Sequence, residues 1–284
     1  MKKTRILPSL ESIVIGVLFF CATTVTSQAE DGMNFSLGTG VYTAGVYMGS
    51  DETYVAPALL LQGTYSVGNV SLSLDLLEGP GVIYTNPQHN IMFRFGATFD
   101  QERNSQTYSV FGQDKDLSNK TRNLLQDTPT VKTDFAPEAA TQFMSRAGIL
   151  GISAAYHPTS VDYSLPGQID KDLDGWLYAI SYANEYTLAE GLLLSVMGEL
   201  TYMNQDYARA WYSVEYATPK LEKFAAQAGF RDLTLGLQAT KKLSERIGVA
   251  LLLAGTRLLE DAADTPYTVE TFQPTAMLYA FYTF

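Results

Sequence analysis

Regular alternation of apolar with small or polar residues recurs along the chain and restricts its fold more than any other feature. Successive side chains of a β-strand point to opposite faces of a sheet, so each alternating run predicts a strand with one apolar face. Soluble β-sandwiches also alternate, but most runs here are about 9 to 13 residues long, which matches a tilted crossing of a lipid bilayer. The clearest runs are 70–76, 91–99, 176–183, 192–202 and 232–240.

Placing every run along the chain gives an even number of strands, as a single-chain bacterial barrel requires. The twelve segments are 33–47, 53–66, 69–77, 80–86, 90–100, 144–156, 159–166, 173–186, 190–203, 228–241, 245–258 and 270–284. Omitting the two weakest, 80–86 and 159–166, leaves ten. We therefore predict an all-β, transmembrane, antiparallel up-and-down β-barrel of about 12 strands.

The connections between these segments separate by length. Short turns are predicted at Val67-Gly68, Asn86–His89, His157-Pro158, Leu188–Glu190 and Leu243-Ser244, on the side of the termini. Long connections are predicted at 101–143, 204–227 and 259–269, on the opposite side. In bacterial barrels the short turns face the periplasm, so 101–143 is expected to be a long extracellular loop.

The first 29 residues have the features of a secretory signal peptide. Lys2, Lys3 and Arg5 precede an apolar core at 13–22, and Ser27-Gln28-Ala29 follows as a small-x-small cleavage site. Ten helical residues would span about 15 Å, half the hydrocarbon thickness, so a membrane anchor is not favoured. Cleavage after residue 29 would leave a barrel domain at 30–284 with 16 basic and 29 acidic residues, a net charge of −13 and no cysteine. This acidity disfavours nucleic acid as a partner.

The C-terminus and the aromatic residues both indicate an outer-membrane location. The last strand would direct Leu278, Ala280, Tyr282 and Phe284 outward, and it resembles the terminal strand by which Gram-negative outer-membrane barrels are recognised for assembly. We assign Leu278, Tyr282 and Phe284 to this assembly signal. The chain also contains 18 tyrosines, many at the ends of runs, where aromatic girdles of a barrel lie. The expected surroundings are outer-membrane lipid and lipopolysaccharide.

Residues that could perform catalysis are few. The predicted mature chain has two histidines, His89 and His157, and both are expected in periplasmic turns beside proline. Neither a G-x-S-x-G motif nor an H-E-x-x-H motif is present. We therefore predict a protein that is not an enzyme and needs no metal or cofactor.

Five charged residues are expected to face the barrel lumen: Asp75, Arg94, Glu185, Glu199 and Asp232. Two interpretations are open. The charges could line a cation-selective channel, or they could form internal pairs, such as Arg94 with an acid, that fill the barrel. Twelve strands do not decide between a filled and an open lumen.

Two segments carry a family resemblance. The first contains Tyr47, Gly49, Ser50, Asp51 and Tyr54, with Pro57 after them, and the second contains Asp261, Ala262, Ala263, Asp264 and Pro266. They resemble Y-x-G-S-D-D-Y…P and R-L-x-G-D-A-A-D-S-P of the MipA/OmpV family, although Glu260 stands at the usual Gly and Thr265 at the usual Ser. Between them, 207–215, 225–229 and 231–232 follow the family's order of a Tyr-rich segment, a short loop helix and a new strand.

Two roles are open for the second motif. It could be a rigid loop, or its acids could bind a divalent ion or bridge lipopolysaccharide, although its oxygen ligands are few for a dedicated calcium site. The resemblance implies a non-catalytic outer-membrane scaffold that links a murein hydrolase to a murein synthase. The alternatives are a small-solute or cation channel, and a surface adhesin or receptor acting through 101–143.

Overall fold

The computed structural model describes residues 32–76, 79–104, 107–110, 113–163 and 167–284, and it forms a closed antiparallel β-barrel of twelve strands. The strands are β1 Gly32–Gly45, β2 Thr53–Val67, β3 Val70–Asp75, β4 Gly79–Asn86, β5 Ile91–Arg103, β6 Thr107–Val110, β7 Gln113–Asp116, β8 Thr130–Ser145, β9 Gly148–Asp162, β10 Lys171–Ala189, β11 Leu192–Met203, β12 Gly229–Lys242, β13 Ile247–Leu258 and β14 Phe272–Thr283. The helices are α1 Asn119–Leu124, α2 Gln205–Tyr212 and α3 Glu260–Asp264.

All strands except β6 and β7 belong to the barrel, and each pairs with its neighbour in the chain order. Strand β14 closes the barrel on β1, in a register that runs from Ser36 opposite Thr283 to Thr43 opposite Ala276. The short strands β6 and β7 form a separate hairpin. The predicted barrel is confirmed, whereas the predicted signal peptide lies outside the described residues and stays a prediction.

Burial alternates along the strands as the sequence pattern predicts. In β12, Leu233, Leu235 and Leu237 are exposed on the outer face, whereas Thr234 and Gln238 are buried on the inner face. An exposed row of leucines would be costly in water, but it is the surface that a barrel presents to lipid. The outer face of the barrel is therefore its apolar face.

The connections differ in length between the two ends of the barrel. The end that carries the termini, here called the terminus end, has short turns at 67–70, 86–91, 145–148, 189–192 and 242–247. The opposite end, here called the loop end, has the longer connections at 46–52, 104–129, 163–170, 204–228 and 259–271. No helix within the described residues is long and apolar enough to cross a membrane.

The strand count is correct, but two of the predicted segments are wrong. Residues 130–145 form β8, so the predicted loop 101–143 contains a barrel strand and the connection shortens to 104–129. Strand β9 is continuous through His157 and Pro158, so the turn predicted there is also wrong and no separate strand begins at 159.

Both errors have one physical cause. The ladder between β8 and β9 is interrupted between the pairs Lys132–Ser160 and Glu138–Ala155, and Pro137 and Pro158 both lie within this interruption. Proline lacks the N–H that a ladder needs, so it is tolerated at such a bulge. The prolines therefore indicate a break in pairing rather than the end of a strand.

Candidate functional site

The loop end of the barrel is filled by α2. Asn204 caps this helix, because its side-chain oxygen accepts hydrogen bonds from the N–H groups of Tyr207 and Trp176, both at 2.9 Å. Five of its eight residues are buried: Tyr207, Ala208, Ala210, Trp211 and Tyr212. A helix on a protein surface buries one face only, so burial on this scale places α2 inside the mouth of the barrel.

Strands from different parts of the wall hold α2. Arg231 of β12 donates a 3.3 Å hydrogen bond to the Tyr207 hydroxyl, and the His157 ring of β9 meets the Tyr207 ring at 5.3 Å between centroids. Arg103 of β5 donates to the Trp211 carbonyl at 2.5 Å. Gly175 of β10 allows close approach, since a Cβ there would lie 2.9 Å from Tyr207 Cα. The helix therefore spans the mouth.

The connection between β13 and β14 packs on the same helix. Tyr267 is buried, and its hydroxyl donates to the Trp211 carbonyl. The Arg103 guanidinium lies 4.3 Å from the centre of the Tyr267 ring. Thr265 Oγ1 donates to the Tyr212 carbonyl at 2.7 Å. We call α2 together with residues 213–228 and 259–271 the plug.

The first family motif joins the plug through its backbone and Tyr47. The Gly49 carbonyl accepts from the N–H groups of Val269 and Glu270 at 2.7 and 3.0 Å, and the Tyr47 hydroxyl donates to the Tyr267 carbonyl at 2.8 Å. Ser50 is buried and its carbonyl accepts from Gln273 Nε2 at 2.9 Å. Gly49 has a φ of 99°, which favours glycine there. The first motif is thus in contact with the segment that directly follows the second motif, although the two are distant in sequence.

The remaining residues of the first motif lie around its edges. Tyr54 is buried with its hydroxyl 3.3 Å from that of Tyr42, whereas Pro57 is exposed on the outer face of β2. Asp51 is exposed and pairs with Lys120 of α1. Glu52, next to it, accepts from the Ser118 N–H at 3.3 Å and from Thr121 Oγ1 at 2.5 Å. These acids attach the 104–129 connection to the barrel.

The second family motif forms α3 and the turn after it. Asp261 accepts from the Gln227 N–H at 2.7 Å, and Glu260 accepts from the Phe230 N–H at 2.8 Å. Ala262 is buried, Ala263 and Pro266 are half-buried, and Asp264 is exposed. The described residues include no group of three or more His, Cys, Asp or Glu side chains that could hold a metal ion. Two acids of this segment, Glu260 and Asp261, thus accept backbone hydrogen bonds from the residues beside α3.

The five predicted lumen charges all lie on inner-face positions of their strands. Arg94 pairs with Glu138 at 3.1 Å, with both side chains less than a tenth exposed, which is an internal pair of the kind predicted for Arg94. Asp232 is fully buried and pairs with Arg231. Asp75 accepts from Gln62 Nε2 at 2.7 Å and is half-buried, as is Glu185. Glu199 is buried near the plug.

Tyrosines of the loop end are kept neutral by burial. Burial raises the pKa of Tyr47, Tyr207, Tyr212 and Tyr267 above the usual value, because a phenolate loses its hydration inside the protein. Burial and the neighbouring Glu215 carboxylate raise the pKa of Tyr163 to about 12. The phenols of the plug therefore act as neutral hydrogen-bonding groups at physiological pH.

The assembly-signal residues lie at the terminus end. Leu278 and Phe284 are exposed on the outer face, and Tyr282 is half-buried. The Phe284 N–H donates to the Phe35 carbonyl at 3.0 Å, and Arg246 donates to the Tyr282 hydroxyl at 3.1 Å. The last residue is thus fixed to the first barrel strand.

The sequence profile of the family described as "MltA-interacting protein MipA" matches residues 37–284. The chain belongs to the MipA family. No curated protein matches this MipA family member. The family and the twelve-stranded barrel together identify an outer-membrane barrel protein.

Solved structures similar to this MipA family member are also barrels. OmpT of Vibrio cholerae is 9% identical with a TM-score of 0.37, over 89% of this chain and 97% of that one. The toluene transporter TodX of Pseudomonas putida is 8% identical with a TM-score of 0.35, over 90% and 89%. The translocator domain of NalP from Neisseria meningitidis is 7% identical with a TM-score of 0.38, over 89% of each.

Sequence reasoning missed the side chains that build the plug of this MipA family member. The loop helix expected at 225–229 is wrong, because α2 lies upstream of it. Arg103 lies within the predicted loop 101–143, and His157 is buried in β9 rather than exposed in a turn. The one signal available for α2 is Asn204 followed by Asp206, a helix-start pattern directly after a predicted strand.

Proposed function

We propose that the protein is a non-catalytic scaffold in the outer membrane of a Gram-negative bacterium, which holds a murein hydrolase near a murein synthase. The family description, which names an interaction with MltA, supports the hydrolase as a partner. In this proposal the terminus end faces the periplasm, where murein lies, and the loop end faces the outside. The length difference between the turns at the two ends supports this orientation.

The plug is the observation that carries this proposal. Strands β5, β9, β10 and β12 and the connection between β13 and β14 contact α2 across the mouth, and the contacts include Arg103 with Trp211 and Arg231 with Tyr207. We infer that the plug obstructs the aqueous path at the described loop end, and this inference argues against the channel alternative. What remains available for function is the periplasmic end and its partners.

The positions of the two histidines support a non-catalytic role. His89 lies in an exposed turn, with Nδ1 3.1 Å from Asn86 Oδ1. His157 is buried beneath Tyr207, and its Nδ1 has no hydrogen-bond partner in the described part of the chain. A histidine can act as a general base only within hydrogen-bond reach of the proton that it abstracts, at a site that substrate can reach. Neither histidine has such surroundings.

The turn between β12 and β13 offers a surface for a periplasmic partner. It carries Lys241, Lys242 and Arg246 around Leu243, an apolar side chain that is exposed. Exposed apolar residues with a charged rim are typical of protein interfaces. We propose that the hydrolase contacts this turn.

Site-specific photo-crosslinking in intact cells tests the scaffold role. A benzoylphenylalanine at position 243 should form adducts with murein hydrolases or synthases, identified by mass spectrometry. The matched control places the same residue at Lys120, which is exposed at the loop end. Adducts with murein enzymes at 120 but not at 243, or at neither position, would contradict the proposal.

A further inference from the structure

The outer wall of the barrel has a groove of about 550 Å³ that crosses it from β8 to β12. Register neighbours form its floor and one of its sides: Ala139 lies opposite Ala154, and Ala154 lies opposite Tyr178. Tyr202 and Phe230 continue the ring side, with their ring centroids 5.7 Å apart. The two alanines are much smaller than the rings beside them, so they leave a hollow in the wall.

Branched aliphatic residues form the other side of the groove. Ile152, Ile180 and Leu200 are register neighbours on β9, β10 and β11, on the outer face. Because this face of the barrel is the one that meets lipid, only molecules within the bilayer reach the groove. The wall of a second barrel is convex and would meet the rim of the groove first. A slender hydrocarbon chain reaches the alanine floor and gains dispersion contacts along its length.

The aliphatic row continues beyond the groove and includes a cation. Leu200 lies opposite Leu233 of β12, and Leu233 lies opposite Arg257 of β13. Arg257 is exposed on the outer face, one residue before the loop end of β13. An arginine on the lipid face of a barrel is costly at the bilayer midplane and costs little at the interface. We therefore place Arg257 at the water–lipid boundary of the loop end.

The guanidinium of Arg257 is available to a ligand. The ion pairs among the described residues do not include it. Two nearby acids are bound to backbone groups instead: Glu270 accepts from the Phe272 N–H at 3.1 Å, and Glu260 accepts from the Phe230 N–H at 2.8 Å. The planar donors of a guanidinium match the oxygens of a phosphate group.

These two features together select a phosphorylated lipid with its headgroup at the loop end. The row descends from Arg257 at the loop end of β13 to Thr141, four residues before the terminus end of β8. A hydrocarbon chain in the groove would therefore extend from the loop end into the bilayer. In the orientation proposed above, the loop end lies in the outer leaflet, whose lipid is lipopolysaccharide. The choice of this lipid rests on that orientation.

We propose that the outer wall binds one molecule of lipopolysaccharide, with a phosphate of its lipid A part on Arg257 and an acyl chain in the groove. The site lies on the lipid face and at the loop end, whereas the proposed partner surface around Leu243 lies at the terminus end. Loss of the lipid site would therefore leave crosslinking of murein enzymes at position 243 unchanged.

Native mass spectrometry of the protein, refolded into micelles and titrated with diphosphoryl lipid A, tests the phosphate contact. The wild type should bind one lipid A. Arg257→Gln should weaken binding about tenfold, because a charge-assisted hydrogen bond is lost. Arg257→Lys should recover part of the loss. Arg246→Gln, which removes the same charge from an exposed turn at the terminus end, is the control and should bind as the wild type does.

A substitution that fills the floor tests the groove. Ala154→Phe should weaken binding of lipid A about tenfold or more, because the ring occupies the space of the chain. Ala239→Phe, on the outer face of β12 outside the groove, is the matched control. Heat-modifiable migration on gels verifies folding, and Ala139→Phe repeats the measurement if Ala154→Phe does not fold.

Phosphatidylglycerol identifies the source of the chain. It should bind more weakly than lipid A, because its phosphodiester carries one negative charge and a phosphomonoester carries nearly two. Phosphatidylglycerol binding as tight as that of lipid A would overturn the assignment to lipopolysaccharide. Unchanged lipid A binding in Arg257→Gln or in the groove variants would overturn the site. A dimer of the chain that Ala154→Phe dissociates would also overturn it, because a second copy would then fill the groove.

Discussion

At the residue scale, Glu260 has a backbone conformation that favours glycine. Its φ is 44°, in the left-handed region, and it stands where the MipA/OmpV motif has glycine. The side chain compensates in part, because its carboxylate accepts the Phe230 N–H at 2.8 Å. The departure from the motif therefore combines a backbone cost with a new hydrogen bond.

The left-handed backbone of Glu260 predicts which of two substitutions leaves the barrel more stable. Glu260→Gly should be more stable than Glu260→Ala by about 1 kcal/mol, because both lose the hydrogen bond and glycine alone relieves the left-handed backbone. Urea unfolding of the refolded barrel in micelles measures the difference. At Asp264, in the same helix, the order should reverse because alanine favours a helix. The same order at both positions would contradict the account.

For the charged residues of the inner wall, the sequence predicts the face of the strand but not the partner. Arg94 and Asp232 could be placed on inner faces because they occupy polar positions of alternating runs, and their strands position them there. Their partners could not be named, since Glu138 lies in a strand that the sequence did not reveal and Arg231 adjoins a register shift between β11 and β12. The two-residue alternation of a strand predicts which face a side chain lies on. The ion-pair partner of that side chain depends on the order and register of the strands.

At the element scale, the acids of the first motif position α1. Glu52 accepts from the Ser118 N–H and the Thr121 hydroxyl, and Asp51 pairs with Lys120. These contacts join two connections that are neighbours only in the folded barrel. The 104–129 connection is thereby attached to the mouth.

Removal of this attachment should release the connection without unfolding the barrel. Glu52→Ala should increase trypsin cleavage near Arg122 about tenfold or more, because hydrogen bonds to a carboxylate contribute roughly 1.5–3 kcal/mol. Time courses of limited proteolysis measure the rate, and resistance of the remaining barrel to denaturation in detergent verifies the fold. Glu222→Ala, at an exposed position of the plug, is the control. An unchanged rate would show that Glu52 does not hold the connection.

Elements were predictable where one face alternates cleanly, as in β10 to β14. Strand β8 was missed because Pro137 and several charged residues obscure the alternation, and β9 was divided at Pro158. Helix α2 was missed because its buried aromatic residues pack on side chains from three distant strands. Long-range packing of this kind leaves no periodic signal in one sequence.

At the scale of the whole molecule, the protein is a β-barrel whose loop end is filled by the plug. Lipid faces the leucine-rich outer wall, the plug occupies the loop end, and buried side chains such as Met197, Leu252 and Met277 lie on the inner face. Tyrosines are found both on the outer wall of the barrel and in the plug. Exposed rings such as Tyr65 and Tyr186 lie at the outer wall, whereas Tyr207, Tyr212 and Tyr267 build the plug.

The central claim is that the plug closes the barrel to ions, and conductance in planar lipid bilayers tests it most directly. The wild-type protein should insert without producing steps of current, whereas a Tyr207→Ala, Trp211→Ala double variant, in which α2 loses its two buried anchors, should produce flickering steps. Heat-modifiable migration on gels verifies that both proteins are folded. Stable open steps from the wild-type barrel would contradict the account.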